Sequence, residues 1–141
     1  MTWQEFARQN PELATLGEER PDRNGLVMLA TPRKNGWPRI SPVEPRFFSG
    51  QLYLGMMRDP RCSIHDAVPD RHASEGRFKV YRRALEIMDL GERERLAEAM
   101  SHRIGMRPEG PEFHHFAIDI QSAAANTLAG EEFQHQVWKA G

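Results

Sequence analysis

The stretch of residues 25–57 constrains the fold most, because strand-like runs alternate there with turn signals. Asn35-Gly36 is a dipeptide that tolerates the positive φ angles of a tight hairpin, and Ser49-Gly50 marks a second turn. The runs that these turns join are residues 26–30, 37–43 and 51–57. The pattern predicts two successive hairpins, a meander on which the rest of the chain packs.

The middle strand, taken as residues 37–45, contains Pro38, Pro42 and Pro45, which have no backbone N–H to donate to a neighbouring strand. Their presence predicts an edge strand or an irregular one. Such a strand leaves backbone groups available to a ligand, although an ordinary edge without a ligand is an equally good interpretation. Arg39 and Ser41 are expected on one side of this strand, because side chains two residues apart share a face.

The meander also contains residues that could recognise a small molecule. Arg39 could bind a phosphate or carboxylate through two N–H groups, and Ser41 could donate beside it. Gly55 would let a flat ring approach the backbone, and the two methionines at 56–57 would add soft apolar contacts. Trp138 could stack on a ring. A surface ion pair for Arg39 and ordinary packing for Trp138 are the alternatives.

The chain of 141 residues is predicted to form one domain of the mainly β (α+β) class. Its short links favour an antiparallel barrel of about seven strands with peripheral helices. The predicted segments are an N-terminal helical segment and loop at 1–24, barrel strands at 25–88, a helix at 89–105 and closing strands at 113–138.

Three local signals set boundaries inside these segments. Thr2 and Glu5 have the spacing of a capping box, which begins the N-terminal helical segment. Gly17 is expected to end that segment, and the polar residues 18–24 are expected to form a loop. The apolar phase of the fifth strand changes near Arg82-Arg83, which predicts a bulge there.

Composition excludes several classes of protein. A formal net charge of −1 gives no sign of a general affinity for nucleic acid or for an anionic membrane. The only cysteine, Cys62, cannot form an internal disulfide, and its apolar neighbours predict a buried, inert thiol. No apolar run approaches the ~20 residues that span a bilayer, and the N-terminus lacks a signal-peptide pattern. We therefore expect a cytoplasmic protein.

The histidines show no spacing typical of a metal site. His114 and His115 are adjacent on a predicted strand, so their side chains point to opposite faces. The chain also lacks the HExxH pattern, a glycine-rich phosphate loop and a nucleophile elbow. We predict no metal site, and the meander remains the candidate ligand site.

Several stretches of the meander and of the segments after it resemble the sequences of one protein family. The stretches concerned are 26–29 (LVML), 35–45 (NGWPRISPVEP), 52–57 (LYLGMM), 58–62 (RDPRC), 70–72, 75–79 and 113–122. Together they resemble the pyridoxamine 5′-phosphate oxidase-like family over nearly the whole chain. That family consists of FMN-binding split β-barrels, and it includes relatives that use a deazaflavin coenzyme. The resemblance implies a split β-barrel here.

The resemblance also implies a homodimer with FMN, or alternatively a deazaflavin, in a groove between two barrels. The implied activity is that of a flavin-dependent oxidoreductase acting on a small organic substrate. Because the hydride chemistry belongs to the flavin, we name no catalytic residue. The positions that would bind the cofactor are Arg39, Ile40, Ser41, Gly55, Met56, Met57, Lys79 and Trp138.

Departures from the family pattern leave two alternatives open. Relatives carry a short basic helix that grips the flavin phosphate, whereas here Met57 leads directly into Arg58, and Arg82 stands where glycine is expected. The first alternative is therefore a degenerate member that binds cofactor weakly or not at all. The second is a protein that binds haem or another planar ligand in the same groove, with His65 or His115 as axial ligand.

Overall fold

The computed structural model describes residues 1–55, 61–66, 76–105, 107, 110 and 113–141. Its helices are α1 (Trp3–Gln9), α2 (Pro11–Asn24) and α3 (Leu90–Ile104). Its strands are β1 (Val27–Pro32), β2 (Pro38–Val43), β3 (Pro45–Phe48), β4 (Gln51–Gly55), β5 (Arg61–Asp66), β6 (Arg77–Glu86), β7 (His115–Ala129) and β8 (Glu132–Lys139). The described residues therefore form the predicted mainly β fold, with eight strands rather than about seven. None of their helices is long and apolar enough to cross a bilayer.

The long strand β7 organises a curled antiparallel sheet. The strand order is β2-β1-β5-β6-β7-β4-β3, and β8 also pairs with β7. β6 runs along one edge of β7. The other edge is shared, because β4 pairs with residues 115–117 and β8 with residues 122–129. This sharing splits the barrel between β4 and β8.

The predicted meander is wrong in one respect. β1 and β2 do form the hairpin around Asn35-Gly36, and β2 is an edge strand as predicted. β4, however, pairs with the separate strand β3 and not with β2, and these two hairpins lie at opposite ends of the strand order. Pro42 and Pro45, which lie on either side of Val43 and Glu44, cannot donate to a ladder, and the chain leaves one edge there and crosses to the other.

The second helix corrects the predicted N-terminal boundary. α2 continues through Gly17 and through residues 18–24, the predicted loop, and ends where Gly25 adopts a φ of 71°. Gly17 does not end the helix; a Cβ there would lie 2.6 Å from the Trp3 ring and 2.7 Å from the Phe78 ring. The helix therefore packs directly on the core at this point. Pro21 is buried inside the helix, so tertiary packing overrides its local preference.

Other local predictions are confirmed. The Thr2 hydroxyl accepts from the Glu5 N–H at 3.2 Å, and the Glu5 carboxylate accepts from the Thr2 N–H at 2.8 Å, which completes the capping box. The β6–β7 register shifts between Tyr81 and Arg82, where the bulge was expected. The helix predicted at 89–105 is α3, and the Asp89 side chain caps it by accepting the Glu92 backbone N–H at 2.7 Å.

The strand register gives the sheet an inner and an outer side, because residues directly opposite one another point the same way. One row on the inner side is Ser41, Leu29, Ile64, Val80, Ala123 and Trp138. The adjacent row on the outer side is Pro42, Met28, His65, Lys79, Ala124 and Val137. The inner side forms the main core, to which α1 and α2 add Trp3, Phe6 and Leu13.

The third helix covers a second buried cluster near β4. Tyr53, Ile87 and Leu96 form this cluster. The Tyr53 hydroxyl donates to the Glu92 carboxylate at 3.0 Å. Burial, this hydrogen bond and the negative charge of Glu92 raise the pKa of Tyr53 to about 12.

The raised pKa predicts a loss of stability at alkaline pH. An unfolded tyrosine loses its proton near pH 10, whereas Tyr53 in the folded chain keeps it until about 12. The stabilisation by the protonated hydroxyl is therefore complete below pH 10 and is lost as the pH rises toward 12. Urea unfolding at about pH 9 and about pH 11 should show a larger loss for the native chain than for Tyr53→Phe. Equal losses would contradict this prediction.

Candidate functional site

A groove opens on the outer side of the sheet, across β5, β6 and β7. Its volume is about 290 Å³, near the lower end of the range for small-molecule sites. The residues that line it are His65, Arg77, Lys79, Ala124, Ala125 and Asn126. His65, Lys79 and Ala124 are directly opposite one another on successive strands, so the register itself brings them together.

Small residues keep this part of the sheet free of bulky side chains. Ala124 places only a methyl group at the groove, and Ala125, whose side chain lies in the main core opposite Phe78, lines it without a side chain on this side. Gly76 has a φ of 74°, and a Cβ there would lie 1.7 Å from the Asn126 carbonyl oxygen. Only glycine permits both this φ and so close an approach to β7. Gly76 thereby places Arg77, the next residue, at the edge of the groove.

The groove is positively charged. Arg77 and Lys79 line it, and no carboxylate is among its lining residues in the described part of the chain. The Lys79 ammonium lies 5.5 Å from the ring centroid of Tyr81, within the range of a cation–π contact. Two cations without a carboxylate in the groove lining favour the binding of an anionic group.

His65 adds a titratable group to the groove. Burial lowers the pKa of His65, and the positive charge of Lys79 lowers it further, against a smaller opposing effect of Asp66. The imidazole is therefore neutral at pH 7. A neutral ring nitrogen can accept a hydrogen bond or coordinate a metal ion.

The three predicted site residues on β2 do not all face the groove side. Arg39 and Ser41 lie on the inner side, where the Arg39 Nε–H donates to the Ser41 hydroxyl at 3.2 Å. This contact confirms that the two side chains share a face. Ile40 is opposite Ala30 on the outer side and is 65% exposed. Of the three, only Ile40 faces the same side as Lys79.

The remaining predicted residues are dispersed. Gly55 ends β4, at the far end of the strand order from β2. Trp138 lies on the inner side, with its ring centroid 4.8 Å from that of Phe6, which agrees with the packing alternative. Met56 and Met57 lie outside the described residues. Lys79 is thus the predicted residue that lines the groove.

Sequence reasoning did not assign Arg77 or Asn126 to the site. The alternation along β6 shows that Arg77 and Lys79 share a side, but only the pairing of β6 with β7 brings Asn126 to them. The structure also separates the two histidines considered as axial ligands. His65 lines the groove, whereas His115 is 3% exposed and lies outside it.

Comparison with known proteins supports the architecture. No family model and no curated protein matches the chain. Solved structures do match, among them a general stress protein 26-related protein of the pyridoxinephosphate oxidase family from Clostridium acetobutylicum (TM-score 0.62, 12% identity, 96% of this chain and 95% of that one). A NimC/NimA family protein from the same organism has a TM-score of 0.63 at 14% identity, over 97% and 94% of the two chains. HutZ, the haem storage protein from Vibrio cholerae, has a TM-score of 0.61 at 17% identity, over 79% and 89%.

These likenesses place the chain in one structural class. Its fold is the split barrel of pyridoxamine 5′-phosphate oxidase-like proteins, as the sequence resemblance implied. At these identities the shared property is the fold. Solved proteins with this fold include both an oxidase-family member and a haem storage protein.

Proposed function

We propose that this chain binds FMN in the groove and acts as an oxidoreductase on a small organic substrate. The observation that carries the proposal is the pair of cations, Arg77 and Lys79, beside the small side chain of Ala124. The phosphate of FMN needs cationic partners, and its ring needs a surface without bulky side chains. The lining residues therefore fit both parts of the cofactor.

Each lining residue has a separate role in this proposal. Lys79 and Arg77 would hold the phosphate, Ala124 would leave room for the ring, and Asn126 would offer a side-chain amide to the cofactor. When bound, FMN supplies the hydride chemistry, so the protein contributes binding and orientation. A deazaflavin with an anionic tail would use the same cations.

We further propose that a second copy of the chain closes the groove. The outer side carries exposed apolar side chains, including Ile40 at 65%, Val137 at 54% and Leu85 at 52%. An exposed apolar face of this kind marks an interaction surface. A twofold axis through it would bury these residues and place the groove between two barrels.

The dimer predicts a specific loss of association. Val137→Asp puts a carboxylate on the outer side, so we expect this variant to be monomeric at about 10 μM, where the native chain is dimeric. Size-exclusion chromatography with light scattering measures the oligomeric state of the native chain and of the variant. Leu90→Asp is the control, because Leu90 is 78% exposed at the start of α3, away from the outer side of β8. A monomeric native chain would disprove the dimer.

Haem is the second candidate ligand, and the neutral His65 favours it. Iron requires a deprotonated ring nitrogen, which the lowered pKa of His65 provides. Arg77 and Lys79 would then pair with the propionates. When bound, haem would supply the redox or storage chemistry, and His65 would be the residue that holds its iron.

Titration of FMN, a deazaflavin coenzyme and haemin, each separately, into the purified chain tests the proposal. We expect Lys79→Ala to weaken FMN binding about tenfold, ~1.4 kcal/mol, because it removes a charge-assisted contact. Lys34→Ala is the matched control, since Lys34 lies in the β1–β2 turn. His65→Ala should weaken haemin binding only. Absorbance and fluorescence give the dissociation constants.

The same titrations separate the alternatives. Arg39→Ala tests the sequence-based prediction that Arg39 holds the phosphate; we expect a change within about twofold, because Arg39 faces the inner side. A large effect of Arg39→Ala with no effect of Lys79→Ala would disprove the groove as the site. No binding of any ligand at ~100 μM, weaker than ~−5.5 kcal/mol, would favour the degenerate alternative.

A further inference from the structure

The main core contains a guanidinium that the proposed function does not use. Arg82 is 3% exposed and lies on the inner side of β6, directly after the bulge. Its Nη1 donates to the Val80 carbonyl at 3.4 Å. Its Nε and Nη2 are buried and make no hydrogen bond within the described part of the chain. A buried charge in this state is strongly unfavourable unless an anion lies beside it.

The residue opposite Arg82 is the single cysteine of the chain. Cys62 pairs directly with Arg82 across β5 and β6, so both side chains point to the inner side. Cys62 is 9% exposed. Burial lowers the pKa of Arg82 to about 10, and the electrostatic effect of the neighbouring Cys62 opposes that shift. The strand register therefore places the thiol beside the guanidinium, where it can serve as the counter-ion.

We propose that Cys62 is ionised at neutral pH as the counter-ion of Arg82, and that this thiolate is a modification site for small peroxides. Arginine keeps its proton at neutral pH, so the pair becomes neutral only when the thiol loses its own. An adjacent guanidinium lowers the pKa of a cysteine and makes its sulfur a nucleophile. The sequence predicts an inert thiol because the neighbours of Cys62 on the same face of its predicted strand are apolar. Arg82 is adjacent to Cys62 only through the pairing of β5 with β6, so that prediction did not include it.

Other charged groups around the inner side do not replace this pair. Asp66, further along β5, is paired with Arg20 of α2. The N-terminal ammonium before α1 is paired with Asp119. β7 presents the apolar Ile120 opposite Arg82. Arg39 of β2 also lies on the inner side, and its positive charge acts in the same direction as that of Arg82.

The reaction with hydrogen peroxide balances without a further reactant. The thiolate sulfur attacks one peroxide oxygen, an S–O bond forms as the O–O bond breaks, and hydroxide leaves. The sulfur loses two electrons to the peroxide and becomes a sulfenic acid, and the hydroxide takes a proton from solvent. The small exposed fraction of Cys62 selects for small oxidants.

Ultraviolet absorbance of the thiolate tests the ionisation without requiring access to Cys62. The signal is the difference between the native chain and Cys62→Ser, followed as a function of pH. We expect a midpoint below about pH 7.5. Arg82→Gln should raise it by at least about one unit. Arg83→Gln, one residue further along and on the outer side, should leave it unchanged.

A midpoint at or above about pH 8.5 in the native chain would overturn the proposal, whatever the variants do. An unchanged midpoint in Arg82→Gln would overturn the role of the guanidinium.

The modification itself is tested by mass spectrometry after brief exposure to hydrogen peroxide and dimedone at pH 7. We expect labelling of Cys62 at least about tenfold faster in the native chain than in Arg82→Gln. Absence of labelling in the native chain would overturn the modification site.

Discussion

Replacing Asp66 with asparagine is expected to lower the free energy of unfolding by about 3–5 kcal/mol. Arg20 and Asp66 form an ion pair between α2 and β5, with side-chain exposures of 5% and 3%. The neutral amide of the variant would no longer balance the Arg20 guanidinium, which remains charged inside the core. Urea unfolding followed by circular dichroism measures the loss.

A surface pair provides the control for this prediction. Arg107 contacts Glu94, whose side chain is 71% exposed, and we expect Glu94→Gln to cost less than about 1 kcal/mol. The double variant Arg20→Met/Asp66→Leu should recover much of the loss, because it leaves no unpaired charge. If Asp66→Asn cost no more than Glu94→Gln, the buried pair would not stabilise the contact between α2 and the sheet.

Gly76→Ala is expected to destabilise the fold by about 3 kcal/mol or more, through a backbone clash added to an unfavourable φ. The new Cβ would lie 1.7 Å from the Asn126 carbonyl oxygen. Asn126 cannot move aside easily, because it is paired with β6 on one edge and with β8 on the other. Thermal unfolding measures the effect, and cofactor titration should show weaker binding because Arg77 is displaced.

Gly130→Ala isolates the contribution of the clash. Gly130 has a similar φ of 66°, but among the described residues nothing lies within 4 Å of the point that a Cβ would occupy there. It should therefore cost only the left-handed strain, about 1–2 kcal/mol. Equal losses of stability in the two variants would show that Gly76 does not approach the Asn126 carbonyl this closely.

Features determined by neighbouring residues could be predicted from the sequence. The capping box at Thr2, the turn at Asn35-Gly36 and the bulge before Arg82 each depend on a few consecutive residues. The edge position of β2 could be predicted because proline has no backbone N–H to donate to a neighbouring strand, whatever the rest of the fold. The split barrel itself came from the resemblance.

Features determined by distant residues could not be predicted. The segment around Arg20 reads as a loop because its composition is polar, yet Asp66 and the core hold it in a helix. The groove depends on Lys79 lying opposite Ala124, a pairing across more than 40 residues that periodicity cannot specify. Likewise, Cys62 lies opposite Arg82 only because β5 pairs with β6.

The split along β7 has a consequence for how the chain folds during synthesis. β3 and β4 are made early and can pair with each other, but β4 finds its second partner only when residues 115–117 emerge. Until then the β3–β4 hairpin is paired with no other strand, and the edge of β4 that later meets β7 is open. Long-range closure of this kind slows folding and leaves that edge available for wrong pairing. Closure of the earlier strands into a barrel therefore depends on β7, which lies in the last third of the chain.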